Sequence, residues 1–387
     1  MDFELSDEQR LLRDTLRAFV DEQIRPVARE WEAAERYPDE LVATMRQMGL
    51  FGLMVPEEYG GMAADMVSLA LVFEEISRGW MGVAGILGSH SLSCWMIAQY
   101  GTPEQKRAHL PALATGERRT GIALTEPAAG SDLQGIQTVA RRDGDVYMVS
   151  GRKTWITNAR HADPLPVLVK TDPAARPAHA GMSVLLVDAG TAGFQVVRDL
   201  PKLGYHGPET CELVLDDVRV PAGNLLGGTE GRGLQQVLAA LETGRINVAA
   251  RAVGVAQEAY DQALRYAGER EAFGQKISGF QAVQLKLADM AMKLQAARLL
   301  VYWAATRADA GQRTDLESGM AKVYASEVAM ECAVAAMQVH GGYGYSREFT
   351  VERLYRDAPL MAIGEGTNDI LRTVIARALI GGRGFIG

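Results

Sequence analysis

The sequence predicts an α+β protein in which a helical segment, a β segment and a second helical segment follow one another. Apolar residues recur at helical spacing up to about residue 120 and again from about residue 231. Between them, short alternating runs are separated by Pro and Gly, which is typical of strands. The chain has 387 residues, more than one hydrophobic core usually serves. We therefore expect three domains, at residues 1–120, 121–230 and 231–387.

Composition and charge limit the possible classes of protein. A hydrophobic content of 48% and a charged content of 23% are typical of a globular protein. The net charge of -8 argues against a nucleic-acid-binding protein, which would carry a basic face. Cys94, Cys211 and Cys332 lie far apart, so we expect neither a disulfide framework nor a metal site. The acidic start, Met1 to Leu5, does not resemble a targeting peptide, and no run of about 18 apolar residues occurs, so we expect a cytoplasmic protein and no membrane span.

The first helical segment contains two helix start signals. Ser6 and Gln9 form a capping box, in which each side chain can satisfy a free backbone N–H of the other residue. Thr102 and Gln105 repeat the signal, with Pro103 at the first helical position.

The β segment contains one clear hairpin signal. Residues 139–156 alternate in polarity around an Asp143-Gly144 turn, a dipeptide that suits a tight hairpin. Further apolar runs at 167–169, 182–187 and 213–215 predict a small antiparallel β domain.

The second helical segment predicts a bundle. Residues 234–266, 283–308 and 321–339 are apolar at three-to-four spacing and are joined by short loops. A shorter helical pattern follows at 370–375, and Thr367 or Asn368 can cap it with a side-chain oxygen.

One carboxylate precedes this last helix. Glu365 is flanked by a glycine on each side, so a ligand could approach the backbone closely. Two interpretations remain open from the residues alone: Glu365 is a functional carboxylate, or it is an exposed residue that interacts with the helix dipole.

Several motifs have a specific composition and order. Residues 123–135 form a turn rich in glycine and hydroxyls, including Thr125 and Ser131, which could bind an anion or a heterocycle or simply connect two elements. The further motifs are Trp155-Ile156-Thr157-Asn158, Arg270-Glu271-Ala272-Phe273-Gly274 with Gln281, and Gln338-Val339-His340-Gly341-Gly342. With Glu365-Gly366-Thr367, these motifs resemble the acyl-CoA dehydrogenase family in order and spacing, from Leu5 to about Leu379.

This resemblance implies a fold and an activity. The expected fold has an N-terminal helical domain, a central antiparallel β domain and a C-terminal four-helix bundle. The expected reaction is the FAD-dependent α,β-dehydrogenation of an acyl-CoA to the trans-2-enoyl thioester, with an electron-transfer flavoprotein as acceptor. Family members commonly act in fatty-acid β-oxidation as homotetramers, dimers of dimers, with FAD held across a subunit boundary.

The resemblance also implies roles for individual residues. Glu365 would be the base that removes the α-proton. FAD contacts within the subunit are implied for Thr125, Ser131, Trp155, Thr157 and Thr367. Contacts to the FAD of a neighbouring subunit are implied for Arg270, Phe273, Gln281, Gln338 and Gly342. Substrate contacts are implied for Ser131, Arg245 and Gly366.

Some positions depart from the family pattern. Gly364 replaces a common aromatic residue, which either widens the acyl pocket for branched chains or leaves space that Trp95 or Met96 fills. His206 stands where an arginine is common. Gly244 occupies the position at which some members carry the base. No arginine is obviously placed to bind a second carboxylate, so a dicarboxylyl thioester is not expected.

Four alternatives stay open from the sequence. They are an oxidase of the same fold, a nitroalkane-oxidising enzyme, a dehydrogenase of carrier-protein-bound acyl groups, and a non-catalytic homologue that binds coenzyme A or a partner. The nitroalkane enzymes use Asp as base, so Glu365 argues against that one.

Overall fold

The computed structural model describes residues 4–382. The first three residues, part of the predicted acidic start, lie outside the described residues, as do residues 383–387 of the predicted third domain.

The N-terminal helical segment follows the predicted pattern. It consists of α1 (Asp7–Phe19), α2 (Arg25–Ala33), α3 (Asp39–Gln47), α4 (Met66–Tyr100) and α5 (Pro103–Ala114). Both predicted capping boxes are present, since the hydroxyls of Ser6 and Thr102 accept from the backbone N–H groups of Gln9 and Gln105. Local side-chain chemistry therefore sets where α1 and α5 begin.

Helix α4 is the apolar centre of this segment. Within residues 4–382 it is the one helix long and apolar enough to span a membrane, but 89% of its most apolar window is buried inside the fold. Trp80 has non-helical angles (φ -160°, ψ 108°) and kinks the helix. The carbonyl of Gly79 at the kink accepts a hydrogen bond of 2.6 Å from Arg353, so a distant side chain satisfies the backbone group.

The β segment forms a sheet with the strand order β4-β3-β1-β2-β6-β5. Its strands are β1 (Val139–Asp143), β2 (Val146–Thr157), β3 (Leu165–Lys170), β4 (Met182–Val187), β5 (Phe194–Asp199) and β6 (Thr210–Pro221). The predicted hairpin joins β1 to β2 in antiparallel register. One pair departs from the predicted antiparallel sheet, because β1 and β3 run parallel where Val139 faces Lys170.

The C-terminal helical segment contains the three predicted long helices and two shorter ones. They are α6 (Gly233–Glu269), α7 (Gln281–Asp309), α8 (Asp315–His340), α9 (Val351–Ile363) and α10 (Asn368–Ile380). Between α6 and α7 the short strands β7 (Glu271–Ala272) and β8 (Gln275–Lys276) form a small ribbon. Helix α9 completes the predicted four-helix bundle with α6, α7 and α8.

The two helical segments share one hydrophobic core. Phe73 and Trp80 of α4 belong to the same buried cluster as Ile246 and Val253 of α6. A separate cluster fills the interior of the sheet, and another lies between the sheet, α5 and the end of α4. The candidate site lies where α4, α6 and the sheet approach each other.

Candidate active site

The loop between α9 and α10 presents Glu365. Glu365 has a φ of 53° and Gly366 a φ of 96°, so the backbone turns through the left-handed region at both residues. Thr367 caps α10 by accepting from the N–H of Ile370 at 3.3 Å. Lys322 of α8 donates to the carbonyl of Gly366 at 2.8 Å, which holds the loop against the bundle.

The Glu365 carboxylate points into the protein. Its Oε2 atom is buried, and within residues 4–382 it has no hydrogen-bond partner. A β-carbon on Gly244 of α6 would overlap this oxygen, so the glycine provides the space that the carboxylate occupies. The alternative of an exposed glutamate at a helix start is therefore wrong for this oxygen.

Burial raises the pKa of Glu365. The charges of Arg251, Lys322 and Arg245 act in the opposite direction, in that order of size, but burial outweighs them. A carboxylate with a raised pKa and an unsatisfied oxygen is suited to accept a proton from a bound molecule.

The C-terminal end of β2 presents a second group of predicted residues. The carbonyl of Thr125 accepts from the backbone N–H of Thr154 at 2.9 Å, which ties the motif 123–135 to β2. At a bulge in β2, Trp155 has a φ of 63° and its side chain is 57% exposed. The next outward-facing position, Thr157, ends the strand opposite Thr210.

A buried ion pair anchors this motif. Lys153 of β2 donates to the carboxylate of Glu126 at 2.9 Å and to the carbonyl of Leu124 at 3.0 Å. Glu126 also accepts from the backbone N–H groups of Gln137 and Thr138, at 2.6 and 3.0 Å. The loop is therefore held at both ends, while Ser131 between them remains exposed.

The remaining predicted cofactor residues lie at the other end of the bundle. Arg270 and Gly342 line a cleft of about 490 Å³ together with Tyr266, Ile277 and Tyr343. Close to this end, the exposed side chain of Gln338 accepts from Lys286 at 2.7 Å. Phe273 is 95% exposed, and Gln281 is exposed at the start of α7.

The length of α6 separates these two groups of residues. Gly244, beside Glu365, and Arg270 at the C-terminal end of α6 are about 39 Å apart along the helix axis. Within one subunit the structure therefore brings Arg270 together with Gly342, and does not bring either to Glu365.

Three side chains near Glu365 were not identified from the sequence. Arg251 and Lys322 are the two cations with the largest effect on the pKa of Glu365. The phenol of Tyr205 is buried, its pKa is raised by that burial, and Arg251 and Thr157 lower it in part. A spacing signal existed for Arg251, since it lies two helical turns after Gly244 and so on the same face of α6.

The predicted substrate residue Arg245 is buried near the same carboxylate. Its Nε atom has no partner within the described chain. Burial lowers its pKa, while the charges of Glu242, Glu365 and Asp315 raise it.

The structure gives a physical reason for His206. Its ring nitrogens lie 3.0 Å from the carboxylate of Glu32 and 3.0 Å from the carbonyl of Lys202, both of which are acceptors. The histidine thus places its two ring nitrogens beside two acceptors, as an arginine would place two of its N–H groups.

The position of Gly364 is open. Apart from its chain neighbours, only Leu360 among the described residues lies within 4 Å of the site where a β-carbon would stand. Neither Trp95 nor Met96 lies within 4 Å of that point, so a wider acyl region beside Glu365 stays a prediction.

Comparison with known proteins defines the class. Family models of the acyl-CoA dehydrogenase N-terminal, middle and C-terminal domains match residues 6–117, 121–218 and 231–380. The chain belongs to the acyl-CoA dehydrogenase family, FAD-binding enzymes that act on the CH–CH bond of acyl-CoA thioesters. The predicted family and fold class are confirmed.

Individual relatives are similar over nearly the whole chain. The chain is 44% identical over 382 residues to the probable acyl-CoA dehydrogenase YngJ of Bacillus subtilis (strain 168), with 98% of this chain and 100% of that one covered. It is 38% identical over 378 residues to the caffeyl-CoA reductase-Etf complex subunit CarC of Acetobacterium woodii, covering 97% and 99%. The structure of butyryl-CoA dehydrogenase from Megasphaera elsdenii superposes with a TM-score of 0.95 at 38% identity, covering 98% and 100%.

Proposed function

We propose that this chain removes the α-proton of an acyl-CoA with Glu365 and produces the trans-2-enoyl thioester. The observation that carries the proposal is the buried Oε2 of Glu365, which has no hydrogen-bond partner within residues 4–382 and lies in the space that Gly244 leaves free.

The residues around Glu365 make it a base of suitable strength. Burial raises its pKa, which makes the carboxylate a stronger proton acceptor than an exposed one. Arg251, Lys322 and Arg245 limit the rise, so a deprotonated fraction remains available.

A backbone donor lies next to the base. The N–H of Glu365 donates to no acceptor within the described residues. We assign it to the thioester carbonyl, where a preorganised donor stabilises the negative charge that develops when the α-proton leaves. Because Glu365 has a positive φ, its backbone N–H and its side chain both project from the same turn of the chain.

The residues present fit an FAD. Trp155 offers an exposed aromatic face, with Thr125 and Thr157 beside it, and Ser131 is exposed on the anchored loop. Bound there, FAD would supply the acceptor for the hydride from the β-carbon. Arg270, Phe273, Gln281, Gln338 and Gly342 are too distant along α6 to hold the same molecule near Glu365, so we assign them to the FAD of a neighbouring subunit. We assign Thr367 to the cofactor and Gly366 to the substrate from their position beside Glu365.

The partners follow from the same reasoning. A homotetramer is supported by the exposed apolar side chains on α7, Leu285 at 60% and Met292 at 64% exposure. An electron-transfer flavoprotein as acceptor is supported by the similarity to a subunit of an Etf complex. The predictions of a cytoplasmic location and of a role in fatty-acid β-oxidation remain proposals.

An anaerobic titration tests the function. The purified holoenzyme is mixed with acyl-CoAs of short, medium, long and branched chains, and the absorbance of the oxidised flavin is followed. Loss of this absorbance with one class supports the proposal and names the acyl group. A flavin that no CoA ester reduces would contradict it and favour carrier-bound substrates, and rapid reoxidation by air would favour the oxidase alternative.

A further inference from the structure

We propose that the acyl group accepted by this site carries a carboxylate at its far end, and that Arg251 binds this carboxylate with Tyr205. The proposal deepens the function assigned above and rests on Glu365 being the base. The substrate class is a dicarboxylyl thioester, the class that was not expected from the sequence.

Arg251 lies on the face of α6 that carries Gly244, the neighbour of the proposed base. It lies seven residues after Gly244 on α6, two turns further on, so both project from one face of the helix about 10 Å apart along its axis. Of the cations that lower the pKa of Glu365, Arg251 has the largest effect.

Arg251 is buried without a charged partner. The residue is 7% exposed, its Nε has no hydrogen-bond partner, and within residues 4–382 it forms no salt bridge. The partly buried arginines Arg356 and Arg25 are paired, with Glu32 and Glu258. Of the two other fully buried arginines, Arg353 donates to the carbonyl of Gly79 at 2.6 Å. A buried guanidinium is costly unless it is paired and hydrogen-bonded, so the unpaired Arg251 near the proposed base favours a ligand with negative charge.

The other two cations near the proposed base have polar or acidic groups of their own around them. Arg245 has Glu242 and Asp315 nearby in addition to Glu365. Lys322 donates to the carbonyl of Gly366 and to Asn368. Glu365 lies more than 4 Å from the nitrogen atoms of Arg251, since the two form no salt bridge in the described chain. A second carboxylate, brought by the substrate, would complete the balance.

Tyr205 supplies a neutral donor at the same place. Its side chain packs against α4 at Gly85, where a β-carbon would overlap the phenol hydroxyl. The backbone N–H of Tyr205 donates to Asp357 at 2.6 Å, which fixes the residue from behind. Arg251 lies with its guanidinium carbon 6.0 Å from the phenol ring centre. A hydroxyl and a guanidinium side by side can both donate to one carboxylate.

The test compares pairs of thioesters that differ only in a terminal carboxylate or methyl group. The pairs are succinyl- and butyryl-CoA, glutaryl- and valeryl-CoA, and adipyl- and hexanoyl-CoA. Single-turnover reduction of the flavin is measured against thioester concentration in the holoenzyme, which gives an apparent affinity and a limiting rate for each. We expect the carboxylate to improve the affinity by about tenfold or more in the pair whose length fits, because charge-assisted hydrogen bonds are among the stronger ones.

Variants of Arg251 decide the assignment. Arg251→Gln is expected to remove the preference or to favour the methyl member, while Arg251→Lys retains part of it and Tyr205→Phe reduces it less. Arg265→Gln, an exposed arginine on the same helix, is the control and should leave the ratio within each pair unchanged. Flavin content and thermal unfolding show whether each variant is folded.

The outcomes separate the two proposals. If methyl members reduce the wild-type flavin as well as their carboxylate partners do, and Arg251→Gln does not change the ratio, the dicarboxylyl substrate is wrong while the dehydrogenase function stands. If no thioester of either kind reduces the flavin, the function proposed above fails, and this inference fails with it.

Discussion

At the residue scale, the proposed chemistry depends on Glu365 and the residues that surround it. The carboxylate is buried, Gly244 leaves it room, and three cations on α6 and α8 set the field around it. The proposed base thus lies on a loop, while the charged residues that affect its pKa lie on two helices. A substitution of any of these residues should affect proton transfer more strongly than it affects the fold.

The first prediction concerns the base itself. Glu365→Gln keeps the shape of the side chain but removes its ability to accept a proton. Flavin reduction by the acyl-CoA substrate should slow by about 10²–10⁴-fold, the usual contribution of a general base. Stopped-flow measurement of flavin reduction gives this rate. Asp369→Asn is the matched control, because Asp369 is exposed four residues further on; an unchanged rate in Glu365→Gln would move the base elsewhere.

The second prediction concerns pH. The base is active only when deprotonated, so activity is present above the pKa of Glu365 and is lost as the pH falls through it. Because burial raises this pKa, the acid limb of kcat/KM should lie above the ordinary range of a glutamate. Arg251→Gln removes the largest of the charges that lower the pKa, alongside Lys322 and Arg245, and should shift the limb to higher pH.

A pH profile with butyryl-CoA measures this shift without a second carboxylate in the substrate. Arg265→Gln should leave the profile unchanged. If the acid limb of Arg251→Gln stays in place or moves to lower pH, then Arg251 does not lower the pKa of Glu365.

The residue-scale features differ in how far the sequence could reveal them. Glu365, Thr125, Trp155 and Thr157 lie in local motifs whose resemblance to a family is specific. Arg251 and Tyr205 lie in no such motif, and their importance depends on the approach of α6, α4 and the segment after β5. Such an approach is a property of tertiary packing, which no local pattern contains.

At the scale of the element, α6 is a wall of the site. A helix can approach a loop this closely only where a side chain is absent, and Gly244 is that position. The same helix carries Arg245 and Arg251 on the turns that follow. The placement of α6 therefore determines both the space for the Glu365 carboxylate and the positive charges near it. The exact fit of α6 against the α9–α10 loop is therefore a condition for activity.

The third prediction tests this close approach. Gly244→Ala introduces a β-carbon that overlaps Oε2 of Glu365, so the carboxylate must move. We expect a loss of roughly 1–3 kcal/mol in the free energy of unfolding, together with a large loss of flavin reduction by substrate. Chemical denaturation and stopped-flow absorbance measure the two effects.

Gly268→Ala provides the matched control on the same helix. A β-carbon there meets nothing within 4 Å among the described residues, and alanine favours the helix over glycine by about 0.5–1 kcal/mol. Equal stability effects of the two substitutions would mean that α6 does not approach the loop in the way described.

The elements themselves were largely predictable where their signals are local. Capping boxes mark α1 and α5, and the Asp143-Gly144 turn marks the first hairpin. Strand β5 was not predicted, because it lies at the sheet edge and most of its residues are exposed, so apolar alternation is weak. The parallel contact of β1 with β3 depends on how the chain returns to the sheet, which the pattern of single strands does not contain.

At the scale of the whole molecule, the two groups of proposed FAD residues lie at opposite ends of α6. In the proposed assembly, one subunit holds the reacting part of its own cofactor and the distant part of a neighbour's. A monomer would lack half of the contacts, so assembly and cofactor retention should be coupled.

The fourth prediction tests this coupling. Leu285→Asp combined with Met292→Asp places two charges on the exposed apolar face of α7. We expect the tetramer to dissociate and the protein to lose FAD, because each cofactor then loses the contacts of the second subunit. Light scattering and the ratio of flavin to protein absorbance measure both, and Leu11→Asp, at a position 70% exposed on α1, is the control.

A dissociated double variant that keeps its full content of FAD would show that one subunit is sufficient to hold the cofactor. A tetramer that persists would place the subunit contact on another face.

The core shared by the two helical segments has a consequence for synthesis. Helix α4 ends at Tyr100, and α6, which covers it, begins at Gly233, more than a hundred residues later. The apolar surface of α4 therefore leaves the ribosome well before its packing partner exists, and such surfaces aggregate readily. We therefore expect the N-terminal segment to complete its packing only after α6 has been synthesised, and to need protection from aggregation until then.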